Sequence, residues 1–322
     1  PGHEEYTRNM ATGASNSDVA IILIDATKGV LEQTRRHSFI VSLLGIKHVV
    51  VAVNKMDLVK FNQEIFNQIL TSYSSLVNDF NFKEIKFIPL SALTGENVFF
   101  THSNLSWYKG RTLIDTLEGI EIEKINYERE FAMPVQWVNR SSSNFRGYSG
   151  TIVSGIVKKG MKITILPSSQ SSIIKNIIGP NGEIDKAIVG QAITLTLDTE
   201  VDISRGDLIQ SSNNSEIALA DQFAAHVIWM DNEKMLPERN YILRFINTYV
   251  TGQITDLTHT INVNSYEEVA AKNLELNDIG YCKIALNKKR PFTSYKSNSE
   301  LGSFVLIDQF TNKTIGAGMI DH

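Results

Sequence analysis

Two short runs carry residue types suited to reading a purine base. Asn54-Lys55-Met56-Asp57 directly follows the apolar run His48–Val53. Ser91-Ala92-Leu93 follows the strand-like run Ile85–Pro89 after one residue, Leu90, and starts thirty-four residues after Asp57. The carboxylate of Asp57 can accept two hydrogen bonds at once, from the N1–H and the exocyclic amine of guanine. Adenine lacks that donor pair and would leave buried polar groups unpaired, a mismatch that discriminates by roughly 10⁴–10⁵. Asn54 would tie its loop to neighbouring segments, and the stem of Lys55 would lie on the base face. Ala92 would offer its backbone N–H to the guanine oxygen, with Ser91 and Leu93 completing that loop.

Elements of the right kind surround these runs. Val19–Ile24 is continuously apolar, as in a strand buried on both faces of a parallel sheet. Glu32–Leu44 reads as a helix stopped by Gly45. A strand before Asn54, a helix over 61–79, a strand before Ser91 and a helix over 111–117 complete a βαβαβα series. Arg35-Arg36-His37, on the same helix as Phe39, Ile40 and Leu43, read as a solvated face rather than a phosphate site. After the charged connector 121–125 the periodicity changes to short, β-branched strands: 131–138, 150–157, 161–166, 172–178 and 192–197, with Asn181-Gly182 as a hairpin turn. A second group covers 223–230, 240–250, 280–286 and 303–307. The expected fold is an α/β P-loop-type GTPase domain, its amino-terminal part missing, followed by two small antiparallel β-barrels. The domains would be 1–122, 128–218 and 222–322.

Composition narrows the partners. The net charge of −4 gives no bulk attraction for nucleic acid or an anionic membrane. No apolar stretch approaches the roughly 20 residues that span a bilayer. One cysteine, Cys282, excludes an internal disulfide and fits a reducing cytoplasm. Asn104-Leu105-Ser106 and Asn139-Arg140-Ser141 match the glycosylation pattern by chance, and Arg205-Gly206-Asp207 reads as a turn.

The first residues, Pro1-Gly2-His3-Glu4-Glu5-Tyr6, resemble the tail of the Asp-x-Pro-Gly-His element of translation-factor-like GTPases, with His3 fifty-one residues before Asn54. That resemblance implies that the Gly2 backbone N–H approaches the γ-phosphate and that His3 is catalytic, orienting the attacking water. A P-loop, Gly-x-x-x-x-Gly-Lys-Ser/Thr, belongs earlier in the order, and no stretch of the 322 residues matches it. The expectation is a chain cut upstream of Pro1, inactive alone, with the ligands of Mg²⁺ in the segment before it and no metal site within it.

Longer runs narrow the resemblance. Residues 1–15, Asp25–Ser38, Leu44–His48, Phe145–Gly150, Asp202–Leu208 and Phe304–Ile320 resemble the GTPase subunit of bacterial sulfate adenylyltransferase (ATP sulfurylase). The resemblance implies GTP and Mg²⁺ as cofactors and a catalytic partner subunit, in a heterodimer or larger complex. That partner joins ATP and sulfate into adenosine 5′-phosphosulfate, and GTP hydrolysis drives the uphill reaction. An adenylylsulfate kinase domain is fused to some family members. Two other readings stay open: an elongation-factor-like GTPase delivering tRNA, and a scaffold subunit that hydrolyses nothing.

Overall fold

The apolar runs of the first third pair side by side. A computed structural model describes residues 7–15, 17–101, 103–122, 127–142 and 145–322. In it α1 (Thr7–Ala14) precedes a parallel sheet of β1 (Val19–Asp25), β2 (His48–Asn54) and β3 (Glu84–Pro89), in that spatial order. Asp25 lies opposite Asn54, and Val53 opposite Pro89. The three strands therefore end level, and their following loops share one edge. The unbroken apolar run of β2 has a direct cause: Val49, Val51 and Val53 enter one core, Val50 and Ala52 another. The first core receives Val41 from α2 (Glu32–Leu43) and Phe66, Ile69 and Tyr73 from α3 (Gln63–Leu76). The second is lined by Leu113 and Leu117 of α4 (Leu113–Glu118). β1 pairs with β2 alone among the described residues, and Ile21 and Leu23 on its outer face are exposed.

Local chemistry sets the helix limits. Gly45 adopts φ +75°, which ends α2. α3 starts at Gln63 rather than at 61, because left-handed Lys60 and Phe61 interrupt the chain after a 3₁₀ turn over Met56–Val59. Asn62 Oδ1 then caps the helix, accepting the N–H of Glu64 at 2.7 Å. The α2 face expected to be solvated, Arg35-Arg36-His37, is half-buried. The Arg36 side chain is only 12% exposed, Ser38 is buried, and burial, reinforced by Arg36, pushes His37 down to about 4. Apolar periodicity located the buried face; Thr34 and Ser38, although polar, are buried on the same side as Ile40 and Val41.

The chain divides into two compact units, Pro1–Glu123 with Asn262–Glu267, and Lys124–Ile261 with Glu268–His322. Within the first, Tyr266 stacks on Phe39 at 5.5 Å, and its hydroxyl donates to the Arg35 carbonyl at 2.9 Å.

The second unit is antiparallel throughout. Its first part comprises β4 (Ala132–Pro134), β5 (Trp137–Ser142), β6 (Phe145–Thr151), β7 (Ile156–Lys158), β8 (Lys162–Leu166), β9 (Gln170–Gly179), β10 (Gly182–Ile184), β11 (Lys186–Ile188), β12 (Ala192–Leu197) and β13 (Leu208–Ser211). The main sheet runs β4-β13-β8-β9-β12-β6-β5, with β10 on β9 and a separate β7–β11 pair. The strand expected over 131–138 breaks into β4 and β5 because its backbone changes partners. The Val135 N–H goes to the Asp207 carbonyl, and the Gln136 N–H to Ser149, both at 2.8 Å. The strand expected over 150–157 breaks at Gly155 (φ +67°), where a Cβ would sit 2.3 Å from the Arg129 carbonyl oxygen.

The last part holds β14 (Ala218–Trp229), β15 (Asn240–Phe245), β16 (Thr248–Ile261), β17 (Glu268–Val269), β18 (Ile279–Phe292), β19 (Ser303–Asp308) and β20 (Thr314–Ile320). The order β15-β19-β20-β14-β18-β16 closes on itself through β15–β16 pairing, giving a six-stranded barrel with β17 added to β16. Phe223, Phe245, Phe292 and Phe304 fill its centre with rings 5.2–6.3 Å apart. The single expected strand 240–250 is a hairpin, with Phe245 paired to Thr248 across Ile246-Asn247.

Candidate nucleotide-binding site

The level ends of β1, β2 and β3 gather three loops. The backbone of Lys55, φ 63°, turns left-handed directly after β2 and starts the 3₁₀ turn that carries Asp57. The Met56 N–H donates to the Leu90 carbonyl at 3.2 Å, tying that turn to the end of β3. The Asn54 side chain makes the second tie. Its Oδ1 accepts the N–H of Lys55 at 2.8 Å and that of Ala92 at 2.9 Å. The Ala92 N–H expected to point at a guanine oxygen is therefore donated to Asn54 in this structure.

Ser91 works on its own loop rather than outward. It is fully buried; its N–H donates to the Glu96 carbonyl (3.1 Å), and its own carbonyl accepts from Gly95 (2.8 Å). Asn97 Nδ2, donating to the Pro89 carbonyl at 2.8 Å, anchors the far side of the loop. Leu93 projects from it, 87% exposed. The Asp57 carboxylate is half-buried and makes no hydrogen bond among the described residues, so both oxygens can still accept.

Lys55 Nζ lies 2.7 Å from Asp25 Oδ2, at the end of β1. Burial raises the Asp25 pKa, but the bonds from Lys55 and from the Thr27 hydroxyl and N–H outweigh it and hold the carboxyl at about 2. The Lys55 stem is thereby given a direction. Asp25 was not singled out from the sequence; the only signal was a carboxylate directly after an apolar strand. Among the described residues no group of three or more His, Cys, Asp or Glu could hold a metal ion.

Residues 1–159 match the family described as Elongation factor Tu GTP binding domain, and residues 222–321 the GTP-eEF1A C-terminal domain-like family. Over 320 residues the chain is 47% identical to sulfate adenylyltransferase subunit 1 of Pseudoalteromonas atlantica, covering 99% of this chain and 68% of that protein. The chain belongs to the sulfate adenylyltransferase subunit 1 family. It is also 48% identical over its whole length to the bifunctional enzyme NodQ of Rhizobium sp. (strain N33), and 45% identical to the bifunctional enzyme CysN/CysC of Xylella fastidiosa. It spans about half the length of those two relatives, 50% and 51%. Sup35 complexed with GMPPNP shares the fold, at a TM-score of 0.54 and 22% identity over 96% of this chain and 79% of that one.

For this sulfate adenylyltransferase subunit 1 relative, the structure brings Asn54, Lys55, Asp57, Ser91, Ala92 and Leu93 onto adjoining loops. Gly2 and His3 lie outside the described residues.

Proposed function

We propose that this chain is the base-reading and barrel portion of a GTPase subunit that couples GTP hydrolysis to formation of adenosine 5′-phosphosulfate from ATP and sulfate. The observation that carries this reading is the Asn54–Ala92 bond, which holds two base-reading loops together while the Asp57 carboxylate stays uncommitted. Asp57 would accept the N1–H and amine of guanine. Lys55, steered by Asp25, and exposed Leu93 would flank the base. Asn54 and Ser91 would act by fixing the loops. The Ala92 N–H could serve the guanine oxygen only by sharing its bond to Asn54 or releasing it.

Upstream, the Gly2 N–H would approach the γ-phosphate and His3 would orient water. Mg²⁺ would offset phosphate charge, held by residues preceding Pro1. The domains would run 1–122, 128–218 and 222–322. The partner would be a separate catalytic subunit in the cytoplasm. A buried single cysteine supports that location, and no helix among the described residues is long and apolar enough to cross a membrane. Driving one reaction with another requires that the nucleotide state change contacts with the partner's site.

The test is adenosine 5′-phosphosulfate synthesis by the full-length protein, the catalytic subunit and their mixture, with and without GTP. Synthesis only with the catalytic subunit present, raised by GTP, is expected. Synthesis by this protein alone, or a mixture indifferent to GTP, would overturn the assignment.

A further inference from the structure

The barrel unit carries a surface that the nucleotide chemistry does not use. β5 ends its sheet: among the described residues it pairs with β6 alone, so its outer backbone groups meet no strand. Trp137, at the start of that strand, is 59% exposed. Beside it runs an open cleft of about 340 Å³, lined by Trp137, Val138, Arg140, Arg146, Asp202 and Arg205. Arg146 is engaged, 3.4 Å from Asp202 and over the Tyr148 ring at 5.6 Å. Arg140 and Arg205 are exposed and have no carboxylate within ion-pair distance among the described residues. Three guanidiniums and one carboxylate thus line the cleft, with Glu200 close enough to act on Tyr148, on a chain whose net charge is −4.

The form of this surface selects the occupant. A small ligand calls for an enclosed site with a few buried polar groups, whereas this cleft is open and its polar side chains, Arg146 apart, are exposed. Trp and Arg beside a free strand edge are the ingredients of a protein contact: aromatic and guanidinium anchors for affinity, backbone pairing for register. A second copy in a twofold contact would set the same arginines against each other. The occupant is therefore a different, acidic protein.

We propose that the free edge of β5 and its cleft dock an extended acidic segment of the catalytic partner subunit. The segment pairs along β5, lays an apolar side chain on Trp137, and brings carboxylates to Arg140 and Arg205. This rests on the partner assigned under the proposed function.

The experiment is calorimetric titration of the full-length protein with the catalytic subunit at low and high salt. The variants are Trp137→Ala, the pair Arg140→Glu and Arg205→Glu, and the pair Arg140→Lys and Arg205→Lys. The Glu pair should weaken binding at least ~30-fold and flatten its salt dependence, and Trp137→Ala should weaken it ~10-fold. The Lys pair should stay within a few-fold. GTP turnover and melting temperature of the isolated protein should not move, since these are surface positions. Wild-type binding with every variant within about twofold overturns the docking site alone. Absence of wild-type binding overturns the partner assignment and the docking site with it. Two further outcomes also overturn it, both with partner affinity unchanged: a wild-type dimer lost in the Glu pair, or saturable quenching of Trp137 fluorescence by adenosine monophosphate.

Discussion

Asn54 Oδ1 sits 2.9 Å from the backbone nitrogen of Ala92, thirty-eight residues away, and also accepts the N–H of its neighbour Lys55. One side-chain oxygen therefore sets the distance between the loop that carries Asp57 and the loop that carries Leu93. Both N–H groups lie near solvent, so the bonds contribute geometry more than stability, about 0.5–1 kcal/mol each.

Asn54→Ala should therefore cost about 1 kcal/mol in stability and at least ~10-fold in GTP and GDP affinity alike, because loop placement serves both nucleotides equally. Asn54→Asp, which keeps the acceptor, should preserve slow exchange of the Ala92 amide, while Asn54→Ala should speed it. Hydrogen exchange read by mass spectrometry distinguishes the two. Equal exchange in both variants would show that the bond does not hold the loop.

Asp57→Asn in the full-length protein should weaken GTP binding by ~10² or more and shift preference toward a xanthine nucleotide. The asparagine NH₂ faces an amine on guanine but a carbonyl on xanthine. Competition among GTP, ATP and XTP reads this directly, and unchanged GTP affinity would remove Asp57 from the site.

The Asp25–Lys55 pair gives a pH prediction. Native Asp25 titrates at about 2, below its ordinary 3.8. Its stabilisation is thus complete above about pH 3.8 and disappears as pH falls through about 2. Lys55 is 51% exposed, so screening leaves about 1 kcal/mol. Asp25→Asn should lower stability by that amount at pH 7, and the two proteins should converge near pH 2. Urea midpoints across that range provide the check; a constant gap down to pH 2 would contradict the pairing.

His37 acts in the opposite direction. Burial, helped by Arg36, holds it neutral down to about pH 4, against 6.5 when exposed. The unfolded chain then binds the proton that the native chain refuses, so stability falls as pH drops from 6.5 toward 4. His37→Gln should remove about 1–3 kcal/mol of that fall without altering stability comparably at pH 7.5. Parallel pH profiles for the two proteins would count against a buried neutral imidazole.

The sequence alone determined which segments form the candidate site. A strand buried on both faces must be apolar throughout, so the run before Asn54 announced itself; the run before Ser91, apolar except for Lys86, and the motifs at both ends followed. The change from continuous runs to short β-branched strands likewise marked where the parallel sheet gives way to barrels. Tertiary structure decided what depends on partners far apart in the chain. Asp25 meets Lys55 only because parallel β1 and β2 end level. Asn54 takes the Ala92 N–H only because β3 lies beside β2. The strand expected over 131–138 splits because Val135 and Gln136 find different backbone acceptors, at Asp207 and Ser149. The Arg36–His37 face of α2 is half-buried although both residues are polar. Periodicity reports the side chains that avoid water by composition; polar groups enclosed by the surrounding packing leave no such mark.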